Sequence, residues 1–102
     1  MIFKIFWYNN GMIFEYDSNK SIINKKKHGI DFEEAKELWD DPFAFEIPSL
    51  QSEDEKRHLV FGQIREKNYT AIITYRKQNV RIISVRRSRK KEVELYESVR
   101  NR

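Results

Sequence analysis

A chain of 102 residues, 39% hydrophobic and 14% aromatic, has room for one domain and one core, and that core should lean on Phe, Tyr and Trp. It contains no cysteine, which excludes disulfides, thiolate metal sites and cysteine nucleophiles. The net charge of +4 averages two poles: residues 31–55 hold ten acids and one base, and residues 56–91 hold twelve bases and one acid. One pole suits a polyanion and the other repels it.

The chain opens on Met1 to Trp7, which is compatible with a strand. Its apolar run is short, carries one Lys and lacks a small-residue cleavage site, so it does not read as a signal peptide. No stretch approaches the roughly 20 apolar residues of a membrane span, and a soluble, cytoplasmic protein is expected. The turn signal Asn9-Asn10-Gly11 leads to a second short strand, Met12 to Tyr16, so the two predict a hairpin. Asp17 is a fair N-cap for a helix to about Lys27, with Ile22 and Ile23 as its apolar contacts and Gly29 as its left-handed end. Asp31 and Glu34 form a capping-box variant for a second helix. Phe32, Ala35, Leu38 and Trp39 share its face, and Asp40, Asp41 and Pro42 stop it.

From Phe43 the period changes to that of strands. Phe43 to Ile47 is a possible short strand, followed by a polar loop and three strands, Arg57 to Ile64, Tyr69 to Arg76 and Val80 to Arg86. Turns near Arg65 to Asn68 and Lys77 to Asn79 are too short for anything but an antiparallel meander. Ser88 is placed to cap a final helix whose Val93, Tyr96 and Val99 share a face. The expected architecture is α+β: a compact antiparallel sheet of four to six strands, two helices before its main strands and one after. Residues 1–102 form a single domain on this reading.

The chemistry concentrates between Arg81 and Lys91, where six Lys or Arg stand without an acid. Unpaired guanidinium groups cannot be buried cheaply, so these arginines reach the rim, pair with the acids of residues 31–55, or bind an anion. Arg86, Arg87, Arg89, Lys90 and Lys91 crowd a helix N-terminus, where cations oppose the helix dipole and a phosphate would relieve the conflict. Strict alternation puts Arg81 with Arg87 on one strand face and Arg86 on the other. Arg81 and Arg86 then reach one phosphate only if a bulge or the strand's end re-aims Arg86. His28, at a helix end, is a capping residue or a catalyst; Glu92 is a base or the partner that holds the arginines in place. Gly-rich phosphate loops, H-E-x-x-H and G-x-S-x-G are absent, and nothing in the sequence calls for a metal or cofactor.

Taken together, the stretches Phe14 to Pro42 (with KHGIDFEEA inside it), Glu55 to Ile64 and Val80 to Glu97 (with RIISVRRSRKKE) resemble the BrnT family of toxins from type II toxin–antitoxin pairs. The resemblance covers roughly Met12 to Glu97. Residues 1–11 are an extension that could add an edge strand, Met12 resembles the family's usual beginning, and Tyr16 stands where Trp is common. The resemblance implies a RelE-like fold and a metal-independent endoribonuclease, free of cofactors. In such an enzyme the 2′-OH attacks the adjacent phosphate, leaving a 2′,3′-cyclic phosphate. It further implies inhibition of translation, neutralisation by a BrnA-type antitoxin, and promoter DNA bound only through the antitoxin complex.

The positions carried over are Lys27, His28, Arg57, Arg81, Arg86 and Glu92, with Tyr96 beside them. His28 and Glu92 are the favoured acid and base, with Lys27 a third candidate. Arg81, Arg86 and Arg57 would stabilise phosphate charge. Lys27, Arg87, Arg89, Lys90, Lys91 and Tyr96 would bind RNA. Two alternatives stand beside this reading. One is a catalytically inactive antitoxin-binding partner in a DNA-binding autoregulatory complex. The other is a plain nucleic-acid-binding protein that stacks bases on Tyr69 or Tyr75.

Overall fold

The computed structural model describes residues 3–7, 11–49 and 56–102. Six strands form one sheet: β1 (Phe3–Trp7), β2 (Ile13–Asp17), β3 (Phe45–Pro48), β4 (Arg57–Ile64), β5 (Lys67–Arg76) and β6 (Asn79–Arg87), in spatial order β1-β2-β6-β5-β4-β3. The helices are α1 (Ser18–His28), α2 (Phe32–Ala35) with a 3₁₀ turn after it (Lys36–Asp40), and α3 (Lys90–Arg100). Within the extension, Phe3–Trp7 does supply an edge strand, since β1 pairs antiparallel with β2. The predicted turn residues Asn9 and Asn10 lie outside the described residues.

The sheet is mixed, which corrects the antiparallel expectation. β2 runs parallel to β6, with Phe14 opposite Val80 and Glu15 opposite Arg81. Short turns fix only the β4–β5–β6 meander; the β2–β6 pairing closes over the whole intervening chain and leaves no local signal. The two meander turns are two-residue loops, Arg65-Glu66 (φ 50° and 69°) and Lys77-Gln78 (φ 51° and 82°). Positive φ at both positions matches the twist of the flanking strands, although none of the four residues is the Gly or Asn that such turns favour.

One sheet face carries the main core. Phe14, Tyr16, Val60, Ile64, Ala71, Ile73, Val80, Ile82 and Val85 pack there against Ile30, Phe32, Ala35 and Leu38, all buried. Asp31 caps α2 as the sequence predicts, accepting from the Glu34 amide at 2.7 Å while Glu34 accepts from the Asp31 amide at 3.1 Å. The 3₁₀ turn approaches β4 so closely that a Cβ on Gly62 would sit 2.9 Å from Leu38 Cδ2, so only glycine fits without displacement. On the opposite face α3 lays Tyr96, 1% exposed, over the end of the sheet where Phe61 and Thr70 are buried. The Tyr96 hydroxyl donates to Asp41 Oδ2 at 2.6 Å, and the Gln63 amide donates to the same oxygen at 2.8 Å. Asp41 thereby ties the 3₁₀ turn, β4 and α3 together.

Candidate active site

The register of β5 against β6 slips between Ile72 and Ile73: Ile72 faces Ser84, and Ile73 faces Ile82. Ile83 is the extra residue of a β-bulge. It resets the alternation, so that Val80, Ile82 and Val85 all face the core and are at most 1% exposed. Arg81, Ser84 and Arg86 are brought to the other face, opposite Thr74, Ile72 and Thr70. Arg57 lies opposite Thr74 from the β4 side and joins the same face. The bulge puts Arg81 and Arg86 on one face, but four rungs apart, so they do not reach one phosphate. α3 covers only the Phe61–Thr70 end of this face; Leu59, Ile72, Ser84 and Arg81 are half-buried, and Arg57 is exposed.

Arg57 and Arg81 flank Thr74 from its two sides, roughly 10 Å apart by strand spacing. Arg86 lies four rungs further along, at Thr70, roughly 14 Å by strand rise. Arg86 is held by a fork: Nη1 donates to Glu92 Oε1 at 2.7 Å and Nη2 to Oε2 at 2.9 Å. Oε1 also accepts from the Arg89 amide at 2.7 Å and the Thr70 hydroxyl at 3.0 Å, and Thr70 shares a 2.8 Å hydrogen bond with Ser88. Burial pushes the Glu92 carboxyl up, but the hydrogen bonds from Arg86, the Arg89 amide and Thr70 outweigh it and bring its pKa down to about 2. Glu92 holds the Arg86 guanidinium charged and pulls its pKa upward. A carboxylate this saturated is a weak base. Its role is to position Arg86 and to supply the α3 N-terminus with an acceptor.

Ser88 does not cap α3. The cap is Arg89, without a side-chain acceptor, and Ser88 instead donates its amide to Asn68 O at 2.9 Å. Glu92, three residues past Arg89, reaches back to the cap amide and takes the place of a Ser88 cap. Arg86 pairs with Glu92 rather than with the acids of residues 31–55.

α1 is capped as predicted by Asp17, which accepts from the amides of Asn19 and Lys20. It ends as predicted on Gly29, at φ 76°. Its orientation was not legible. The paired register of β2 with β6 stops at Arg81, and α1 continues beside the free edge of β6. There Asn24 takes the place of a strand: its Nδ2 donates to Val85 O at 2.9 Å and to Ile30 O at 2.8 Å, and its Oδ1 accepts from the Val85 amide at 3.3 Å. Ser21, on the same side, accepts from the Phe32 amide at 2.9 Å. α1 therefore buries polar residues, and Ile22 and Ile23, expected as its apolar contacts, are 57% and 60% exposed.

His28 follows Asn24 by one turn, roughly 6 Å of helix, toward the C-terminal end of β6. Gly29 and Ile30 line a cavity of about 160 Å³ with Tyr69. The Tyr69 ring carries the Arg87 guanidinium 5.6 Å from its centroid. The direction of α1 along β6 puts Lys27 and His28 toward the same end of the sheet as Arg86 and Arg87. Arg87, with Tyr69, faces the core side, and Arg86 with Glu92 faces the side that carries α3. Lys27, Arg87, Arg89, Lys90 and Lys91 are exposed, and His28 is half-buried. Arg57 and Arg81 form a second group further along the face that carries α3. Tyr96 belongs to neither: its ring is buried and its hydroxyl is engaged by Asp41, so it anchors α3 and does not line the basic surface.

Several supporting residues were missed in the sequence. Thr70, Asn24 and Asp41 are polar residues with few charged neighbours in sequence, and nothing local marks them as buried ties. A His58–Glu46–Tyr75 cluster was also missed. His58 Nδ1 lies 3.0 Å from Glu46 Oε2, the Tyr75 hydroxyl donates to Glu46 Oε1 at 2.5 Å, and the His58 and Tyr75 rings meet edge-on at 5.2 Å. Tyr75 is thus held by a carboxylate rather than presented for base stacking.

The sequence profile of BrnT, the ribonuclease toxin of type II toxin–antitoxin systems, matches residues 16–92, more than half of the chain. The fold is accordingly that of a ribonuclease toxin with an antitoxin protein as partner. The chain is a member of the BrnT toxin family. A search of curated proteins finds no match. Among the described residues, no helix is long and apolar enough to cross a membrane.

Proposed function

We propose that the protein is a metal-independent endoribonuclease whose bulged β6 presents Arg81 and Arg86 to consecutive phosphates of one RNA strand. The observation that carries this reading is the register slip at Ile83, which puts Arg81 and Arg86 on the same sheet face as Arg57. Arg86, locked by Glu92 at the start of α3, stabilises charge developing on the scissile phosphate. His28, at the end of α1, takes the proton of the attacking 2′-OH, and a water molecule protonates the leaving 5′ oxygen. The 2′-OH attacks the phosphate, the P–O5′ bond breaks, and the products are a 2′,3′-cyclic phosphate and a 5′-hydroxyl. Arg81 seats the neighbouring phosphate and so sets where the scissile one lies, Arg57 adds an outer, exposed contact, and Lys27, Arg87, Arg89, Lys90 and Lys91 supply the surrounding field. Cleavage restrains translation in the cytoplasm until a BrnA-type antitoxin binds; promoter DNA is engaged only through that antitoxin.

One observation favours a second reading, an antitoxin-binding partner without catalysis. Both Arg86 η-nitrogens are satisfied by Glu92 without any RNA. Expression in cells without antitoxin separates the two. Growth arrest that is relieved by His28→Ala supports the nuclease, and harmless expression of the folded wild-type protein supports the binding module. Adding translating ribosomes to the purified protein then distinguishes a ribosome-dependent nuclease from an inactive one.

A further inference from the structure

α1 is amphipathic with the wrong side out. Its buried side is Ser21 and Asn24, spent on the free edge of β6 and on the Phe32 amide, while its solvent side centres on the adjacent Ile22 and Ile23. At 100° per residue, Ile22 is followed one turn on by Lys26, and Ile23 is bracketed by Lys20 and Lys27. All three lysines are exposed. The helix carries no acid between Ser18 and His28, and its one ion pair among the described residues, Lys25 with Glu34 at 2.7 Å, lies to the side of the isoleucines. The result is an apolar spot ringed by cations, on a helix whose last residues are Lys27 and His28.

We infer that the solvent face of α1, anchored on Ile22 and Ile23, is a docking surface for an acidic amphipathic segment of the antitoxin. Its chemistry selects this occupant. RNA would use the lysines but gain nothing from two exposed isoleucines. An anionic membrane needs an apolar stripe along the helix, and α1 offers two residues on a single turn. A protein segment with apolar side chains flanked by Asp or Glu satisfies both features, placing its aliphatic groups on Ile22 and Ile23 and its carboxylates on Lys20, Lys26 and Lys27. A segment lying along α1 past Lys27 reaches His28, so docking here neutralises by covering the end of the helix that serves the basic cluster. That last consequence rests on the ribonuclease reading; the docking itself does not.

The test measures affinity of the full-length antitoxin for the full-length wild-type protein, for Ile22→Ala/Ile23→Ala and for Lys26→Glu. Thermal melts check that each variant is folded. The expected result is a loss of about tenfold or more for the isoleucine pair, the scale of an interface anchor. Lys26→Glu should show a loss that shrinks at high salt, and cleavage of free RNA by the isoleucine pair should be unchanged. Unchanged antitoxin affinity in the folded isoleucine pair overturns the proposal. So does wild-type binding to phosphatidylglycerol vesicles that the pair loses while retaining the antitoxin. Should the wild type fail to cleave RNA, the ribonuclease reading falls while the affinity comparison still decides this one.

Discussion

Asn24 performs a strand's work from a helix, and its replacement should be costly. Asn24→Ala leaves the Val85 amide, the Val85 carbonyl and one acceptor site of the Ile30 carbonyl without their side-chain partner in a buried position. Each unsatisfied buried group costs about 1–3 kcal/mol, so a loss of several kcal/mol in urea unfolding is expected. Glu92 has a different signature. Its folded pKa of about 2 lies below its ordinary value of 4.5, so the stability it contributes is fully present above about pH 4.5 and is lost as the pH falls toward 2. Between about pH 4.5 and 3 the melting temperature of the wild type should fall more steeply than that of Glu92→Gln. Parallel slopes would show that Glu92 is not held as the geometry describes. His28→Ala should leave the melting temperature nearly unchanged and lower RNA cleavage by about 10²- to 10⁴-fold, the usual range for a lost acid or base.

At the scale of elements, the meander turns store strain that glycine removes. Gln78 sits at φ 82° and Glu66 at φ 69°, a region that costs a non-glycine residue roughly 1–2 kcal/mol. Gln78→Gly and Glu66→Gly should each stabilise the fold, with the loss of chain entropy offsetting part of the gain. A net change of about 1 kcal/mol corresponds to about 4–8 °C in a domain of this size. The same elements show what could be read in advance. β4 falls on the predicted Arg57 to Ile64, and the Asp31–Glu34 capping box is formed, because alternation and capping are local signals. The bulge at Ile83 is not local: it reconciles the buried Val80, Ile82 and Val85 with β5, and a six-residue window cannot reveal it. α1 departs from its sequence pattern for the opposite reason. Its apolar residues suggest a core contact, whereas the β6 edge that β2 leaves uncovered past Arg81 demands hydrogen-bonding groups, and nothing local signals where that pairing stops.

Across the whole molecule, the predicted catalytic residues divide by position along one sheet. Arg86 and Glu92 pair at the start of α3, His28 ends α1 toward the same end of β6, and Arg57 and Arg81 lie roughly 14 Å from Arg86 by strand rise. A single phosphate cannot occupy both groups, so the face is suited to a length of backbone. Binding of RNA should therefore weaken steeply with salt as several counterions are released, and Arg57→Ala should flatten that slope without abolishing cleavage. Filter binding across a salt series would measure both effects. The measurement that bears most directly on the central claim is cleavage of end-labelled RNA by the purified protein in EDTA, with Arg81→Ala beside the wild type. Fragments ending in 2′,3′-cyclic phosphate, lost in the folded mutant, are the predicted result. A folded Arg81→Ala protein that cleaves as fast as the wild type would contradict the account.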